Sequence, residues 1–187
     1  MPRPKTLTDT QILDSALAVT RRTGVERLTF TAVASSCGLS AATLVQRFGT
    51  VVNLRRRTLH HAWDQLEART VALGKEIENT PAGAVDLLVG LSARYDTDIE
   101  EFAEGLLLLR EDLRDPELRQ RGARWRQLLV EVLSACFTEA PDAAADAADL
   151  LLTHWQGAVL WWAFAPEQDL RAYLHDRLTR LTESWSP

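Results

Sequence analysis

Residues 28–49 read LTFTAVASSCGLSAATLVQRFG, and the spacing within this stretch decides the fold of the N-terminal part of the chain. Thr29 is a capping residue ahead of a helix of about two turns that carries Val33 and Ala34. Gly38-Leu39 follows as a tight turn, and Ser40 caps a second short helix carrying Leu44. Two short helices joined this way have helix-turn-helix spacing. Ala34 is small where the helices cross, and Gly38 takes the positive φ of the turn. Val33, Leu39 and Leu44 point inward, and Leu28 is placed to staple onto Val33. Ala41, Ala42, Thr43, Gln46 and Arg47 remain outward, small and polar enough to enter a major groove.

The rest of the chain carries the same period. Upstream, Thr8 and Gln11 have capping-box spacing ahead of an apolar face of Ile12, Ala16 and Val19, and Gly24 closes that helix. Downstream stripes are Leu59, Ala62, Trp63, Leu66 and Leu73; Leu118, Trp125, Leu129, Val132 and Cys136; Leu170, Tyr173, Leu174, Leu178, Leu181 and Trp185. Pro81, Pro116, Pro141 and Pro166 each precede such a pattern, as the first turn of a helix tolerates. No alternating run competes as a strand. The pattern predicts an all-α protein with helices at 8–23, 30–36, 40–47, 51–73, 81–95, 97–111, 116–138, 142–164 and 167–184.

At 187 residues, 46% hydrophobic and 25% charged, the chain has the composition of a folded globular protein, which excludes collagen-like, mucin-like and disulfide-scaffold classes. Cys37 and Cys136 fit neither a disulfide framework nor a zinc site, and the four histidines form no ligand pattern, so neither metal nor cofactor is expected. Cys37 beside the turn suits either an oxidation sensor or, more simply, a small packed hydrophobe. No apolar h-region follows Met1, and the longest uncharged apolar run, Gly157 to Ala165, is nine residues. A cytoplasmic protein without a membrane span is the expectation.

Charge is split along the chain. Residues 1–60 hold nine Lys or Arg against three acids, a net +6, whereas the remaining 127 residues hold 12 against 23, a net −11. A basic head facing a polyanion accounts for that asymmetry, and the acidic remainder would be repelled.

With Ile12, Leu13, Ala16, Gly24, Leu28-Thr29, Val33-Ala34, Gly38-Leu39-Ser40, Thr43-Leu44, Phe48-Gly49 and Leu54, residues 8 to about 60 resemble the N-terminal signature of the tetracycline-repressor (TetR) family of bacterial regulators. The resemblance implies a nine-helix architecture: a DNA-binding helix-turn-helix head (1–50) and a helical ligand-binding and dimerisation domain (51–187). It also marks two departures. The family's usual Tyr after Thr-Leu is Val45, and the usual Lys opening the fourth helix is Val51, which removes two polar contacts to the DNA backbone. Arg47 and the Arg55-Arg56-Arg57 cluster stand as compensating cations.

Roles follow from chemistry. Thr29, Thr31, Ser40 and Thr43 offer hydroxyls at helix starts, suited to phosphates or to capping. Gln46 matches adenine, and Arg47 matches guanine or a phosphate, with Ala41 and Ala42 beside them. Arg3 and Lys5 either reach a minor groove or form a plain tail. One such head reads only a few base pairs, so a homodimer on a palindromic operator is expected. Its seam is placed on Leu150, Leu151, Trp155, Ala158, Val159, Trp162, Leu170, Leu174, Leu178 and Leu181, unless these are all intrachain core. The resemblance further implies an effector cavity, for which Leu91, Tyr95, Phe102, Leu106, Trp125, Leu129, Trp155 and Val159 are candidates; ordinary core packing is the other reading. Glu100, Glu101 and Glu104 suit a cationic ligand or a solvated face.

The function expected is a ligand-responsive transcriptional repressor released from its operator by a small molecule. The alternative is a degenerate relative that binds a small molecule or protein partner without DNA. An enzyme is not expected: no Glu-x-x-His pair, phosphate loop or nucleophile motif is present, and His154 reads as a packed, hydrogen-bonded histidine.

Overall fold

Helix α1, Asp9–Thr23, begins at the capping box its sequence encodes: the Gln11 amide donates to Thr8 Oγ1 at 3.2 Å and the Thr8 amide to Gln11 Oε1 at 3.0 Å. Of the chain, the computed structural model describes residues 7–95, 99–137 and 143–185. Among them are nine α-helices and no strand. After α1 and a single 3-10 turn at Val25–Arg27 come α2 (Phe30–Cys37), α3 (Ala41–Phe48), α4 (Val51–Glu76), α5 (Pro81–Ser92), α6 (Ile99–Arg114), α7 (Pro116–Ser134), α8 (Ala144–Phe164) and α9 (Leu170–Glu183).

The residues fall into two compact units, 1–65 with 103–120 and 66–102 with 121–187, so α4, α6 and α7 contribute to both. The sequence-based division at residue 50 separates proposed functions, whereas packing assigns the start of α4 to the first unit.

In the first unit Ile12, Leu13, Ala16 and Val19 of α1 pack with Leu28, Val33 and Ala34, with Leu44 and Phe48 of α3, and with Leu54 of α4. Leu44 and Phe48 are essentially inaccessible, so truncating either to alanine is expected to cost about 2–5 kcal/mol. Cys37 is half-buried and packs against this cluster. A smaller cluster joins Val25, Leu59 and Leu118, with Trp63 and Leu108 against it.

In the second unit α5, α8 and α9 form a core with Leu129 and Leu133 of α7. Thr80 caps α5 through the Gly83 amide at 3.1 Å, and Pro81 stands at the first helical position. Gly83 is required by close approach: a Cβ there would lie 2.0 Å from the Glu78 carbonyl oxygen.

This core takes up most of the residues of the expected dimer seam. Leu151, Trp155, Ala158, Trp162, Leu170, Leu174 and Leu178 are buried within the single chain, and Leu181 is half-buried against them. They hold α8 to α5 and α9. Leu150 of the expected seam is exposed, on an outward face of α8 that also carries Leu160, Trp161 (69% exposed) and Phe164 (74% exposed). His154, expected to be packed, is exposed on the same helix.

Some boundaries differ from the periodicity. Helix α5 stops at Ser92 and α7 at Ser134 because i→i−3 hydrogen bonds tighten their ends into turns, Ala93 N–H to Gly90 and Cys136 N–H to Leu133. No glycine or proline announces either stop. Helix α9 starts at Leu170 because Asp169 caps it, and the Trp162 indole holds the Gln168 carbonyl oxygen at 2.7 Å. Pro166 therefore lies in the linker, and Pro141 lies outside the described residues.

Candidate nucleic-acid interface

Thr29 Oγ1 accepts the Ala32 amide at 3.2 Å, so the threonine caps α2. Gly38 closes α2 with φ 72° and ψ 26°, the left-handed geometry the turn demands, and its amide and that of Leu39 both donate to Ala34. Ser40 then caps α3: its Oγ accepts the Thr43 amide at 3.0 Å and lies 2.8 Å from Thr43 Oγ1. Thr29 and Ser40 are thus committed to capping, and Thr31 is exposed on the first turn of α2.

Helix α3 has two distinct faces. Leu44 and Phe48, one turn apart, fill the head core. Ala42, Val45 and Gln46 are exposed on the opposite side, with Ala41 and Thr43 half-buried at its edges.

Arg47 departs from its expected role. Its guanidinium donates to the Leu7 carbonyl oxygen at 2.6 Å and pairs with Asp9 Oδ1 at 2.6 Å, leaving the side chain 29% exposed. Arg55 and Arg57 of the expected compensating cluster are also engaged within the head, whereas Arg56 stays 55% exposed. Arg55 donates to the Leu28 carbonyl oxygen at 3.1 and 3.0 Å and to that of Glu26 at 2.6 Å, which satisfies the loop before α2. Arg56 pairs with Glu117. Arg57 reaches Asp9 at 3.0 Å and lies 4.7 Å over the Phe48 ring. The Arg57 hydrogen bond, with the charges of Arg47 and Arg57, holds the Asp9 carboxyl below its ordinary range against a burial effect that opposes it. Arg22 and Arg27 are exposed at the end of α1 and the turn after it. Arg3 and Lys5 lie outside the described residues, as do the side chains of Glu100, Glu101 and Glu104.

Sequence reading missed a second cluster in this unit. On α4, His61 lies 2.7 Å from Asp14 of α1, His60 lies 3.5 Å from Glu117 of α7, and the Trp63 indole donates to Asp112 of α6 at 3.0 Å. Burial pushes the Asp112 carboxyl up to about 6, opposed by the Trp63 hydrogen bond and helped by Glu111 and Asp115. Acids from three helices converge on one turn of α4, each about 50 positions or more from its partner there, and spacing alone gives no signal of that.

The effector candidates divide. Leu91, Leu129, Trp155 and Val159 are buried in the second unit, with Tyr95, Phe102 and Trp125 packed against them. The two indoles are paired internally: Trp155 donates to Ser92 Oγ at 2.8 Å and Trp125 to Thr70 Oγ1 at 3.0 Å. Tyr95 and Phe102 meet edge to face at 5.4 Å. Leu106 does not join them, since it is 41% exposed and belongs to the first unit. Among the described residues no group of three His, Cys, Asp or Glu is placed to hold a metal, and no helix is long and apolar enough to cross a membrane.

A scan against protein-family models finds no match, and neither does a search of curated proteins. Solved structures do match, over nearly the whole chain. A putative transcriptional regulator from Saccharomonospora viridis, crystallised with choline, superposes with a TM-score of 0.71 at 20% identity, covering 92% of this chain and 93% of that one. A TetR-family member from Streptomyces coelicolor gives 0.65 at 22%, covering 93% and 98%. The chain has the TetR-family fold. The multidrug-binding protein EbrR, in complex with malachite green, shares it with a TM-score of 0.64 at 22% identity, over 94% of this chain and 98% of its own. Within the TetR-family fold the helix-turn-helix is α2 and α3, as the spacing of Thr29, Gly38 and Ser40 predicts.

Proposed function

We propose that this protein is a homodimeric, ligand-responsive transcriptional regulator that binds a palindromic DNA operator through α3 and is released from it by a small molecule. The observation that carries the reading is the division of α3. Leu44 and Phe48 lock one face into the head core while Ala42, Val45 and Gln46 stand free on the other. A helix held so rigidly, with an outer face narrow enough for a major groove, suits base recognition. Arg22 and Arg27, with Arg3 and Lys5, supply cations for phosphate contacts.

Two copies are needed for adequate specificity, and Leu150, Leu160, Trp161 and Phe164 of α8 offer the apolar surface to join them. The aromatic cluster around Trp125 and Trp155 is the proposed effector region, and the choline and malachite green complexes of proteins with the same fold support a small organic effector. Helix α4 runs 26 residues without interruption and belongs to both units, which makes it the natural carrier of a signal between them. A ligand acts only if it binds a conformer whose two α3 helices are wrongly spaced for DNA.

A DNA-silent relative is the second reading, favoured by the internal pairing of Arg47, Arg55 and Arg57. Selection of bound fragments from random duplex DNA at moderate salt separates the two. Two inverted half-sites are expected, and failure to enrich any sequence would establish the second reading instead.

A further inference from the structure

We propose that α3 reads A·T base pairs, with Val45 contacting a thymine methyl and Gln46 an adenine edge, and that Arg47 is a positioning residue and not a base reader. The proposal rests on the DNA-binding reading above and goes beyond it by naming the class of half-site.

Positions 42, 45 and 46 share one helical face, spaced i, i+3 and i+4. Ala42 and Gln46 are exposed there, and Val45 is exposed to 47%. A β-branched apolar side chain left in water on a rigid, polar-edged helix has one complementary partner in the major groove, the C5 methyl of thymine. Gln46 beside it carries the donor and acceptor pair that matches N7 and N6 of adenine.

What is missing from this face is a cation to read guanine. Arg47 is the charged residue of α3, and it lies on the flank turned toward Leu44 and Phe48. Its guanidinium is held by the Leu7 carbonyl oxygen and by Asp9, both at 2.6 Å. Moving it to a guanine edge would leave that carbonyl without this donor and Asp9 with Arg57 alone of its two cations. In place, Arg47 ties the last turn of α3 to the first turn of α1 and sets the angle at which Val45 and Gln46 are presented.

The test uses the full chain and the duplex recovered by selection. Each thymine of a half-site is replaced in turn by deoxyuridine, which removes only the C5 methyl, and each guanine by 7-deazaguanine, which removes only N7. For the wild-type protein at least one deoxyuridine is expected to weaken binding roughly fourfold, the transfer value of one buried methyl. Val45→Ala is expected to bind the unmodified site more weakly by a similar factor and to lose the deoxyuridine penalty at that position. Because Val45 is outside the core, this variant is expected to keep the wild-type melting temperature. Arg47→Lys is expected to weaken binding while leaving the pattern of base preferences unchanged.

Three outcomes overturn the proposal: insensitivity to every deoxyuridine, a deoxyuridine penalty that survives in Val45→Ala, or a 7-deazaguanine penalty that disappears in Arg47→Lys. Each leaves DNA binding itself intact. Absence of any selected duplex instead defeats the DNA-binding reading and this proposal with it.

Discussion

Arg47 on α3 and Asp9 on α1 are joined at 2.6 Å, and Arg57 on α4 reaches the other oxygen of the same carboxylate at 3.0 Å. One acid therefore collects three helices of the head, with Phe48 packed beneath the Arg57 guanidinium. The carboxylate is also the group that keeps two cations from the solvent side of the head.

Asp9→Asn removes that tie. The partners are partly exposed, so the expected loss is about 1 kcal/mol or less. The Asp9 carboxyl is held below its ordinary value, so its stabilisation is fully present above the unfolded-state pKa and is lost as pH falls through the folded-state value. Denaturant unfolding of wild type and Asp9→Asn should differ at neutral pH and converge in acid.

Asp112 behaves in the opposite sense. Its folded pKa is raised to about 6 from the ordinary 3.8, so the native state holds a proton that the unfolded chain has released. Stability from this group is present below the ordinary value, falls as pH rises toward about 6, and is level above it. Asp112→Asn keeps an acceptor for the Trp63 indole without the charge. Its melting temperature is expected to lack the wild-type decline over that window.

Gly83→Ala tests the tight entry to α5. The Cβ would collide with a backbone carbonyl, which cannot swing aside as a flexible side chain would. A loss of about 1–3 kcal/mol or more is expected in urea unfolding.

The two faces of α8 are expected to separate oligomerisation from folding. Trp161→Glu with Phe164→Glu should leave the melting temperature of the protomer nearly unchanged and yield a monomer in sedimentation equilibrium. Leu151→Ala should cost about 2–5 kcal/mol because its side chain has no exposure. A dimer that survives the double glutamate variant would refute the proposed seam.

Much of this was legible in the residues. Thr8, Thr29, Ser40 and Thr80 announce their helices because capping is chemistry between near neighbours, and every one of these caps is present. The buried face of α3 follows from Leu44 and Phe48 being four apart. What sequence could not resolve is long-range pairing. Arg47 meets Asp9 across 38 positions and Arg55 meets Leu28 across 27, so cations that look available in a charge count are spent inside the head. The same holds for the two faces of α8. The period of α8 marks two apolar faces, and only packing tells that Trp155 and Trp162 lie inside while Trp161 and Phe164 lie outside.

The internal pairing of Arg47, Arg55 and Arg57 also sets how such a head would treat the rest of a genome. With those three cations engaged at home, sequence-blind grip would rest on the others, Arg22 and Arg27 among them, so random duplex would let go sooner than of a head with every cation free. Discrimination would then come from shape and methyl groups, which salt hardly screens, and occupancy of an operator would hold up under ionic conditions that strip a more cationic reader from its target.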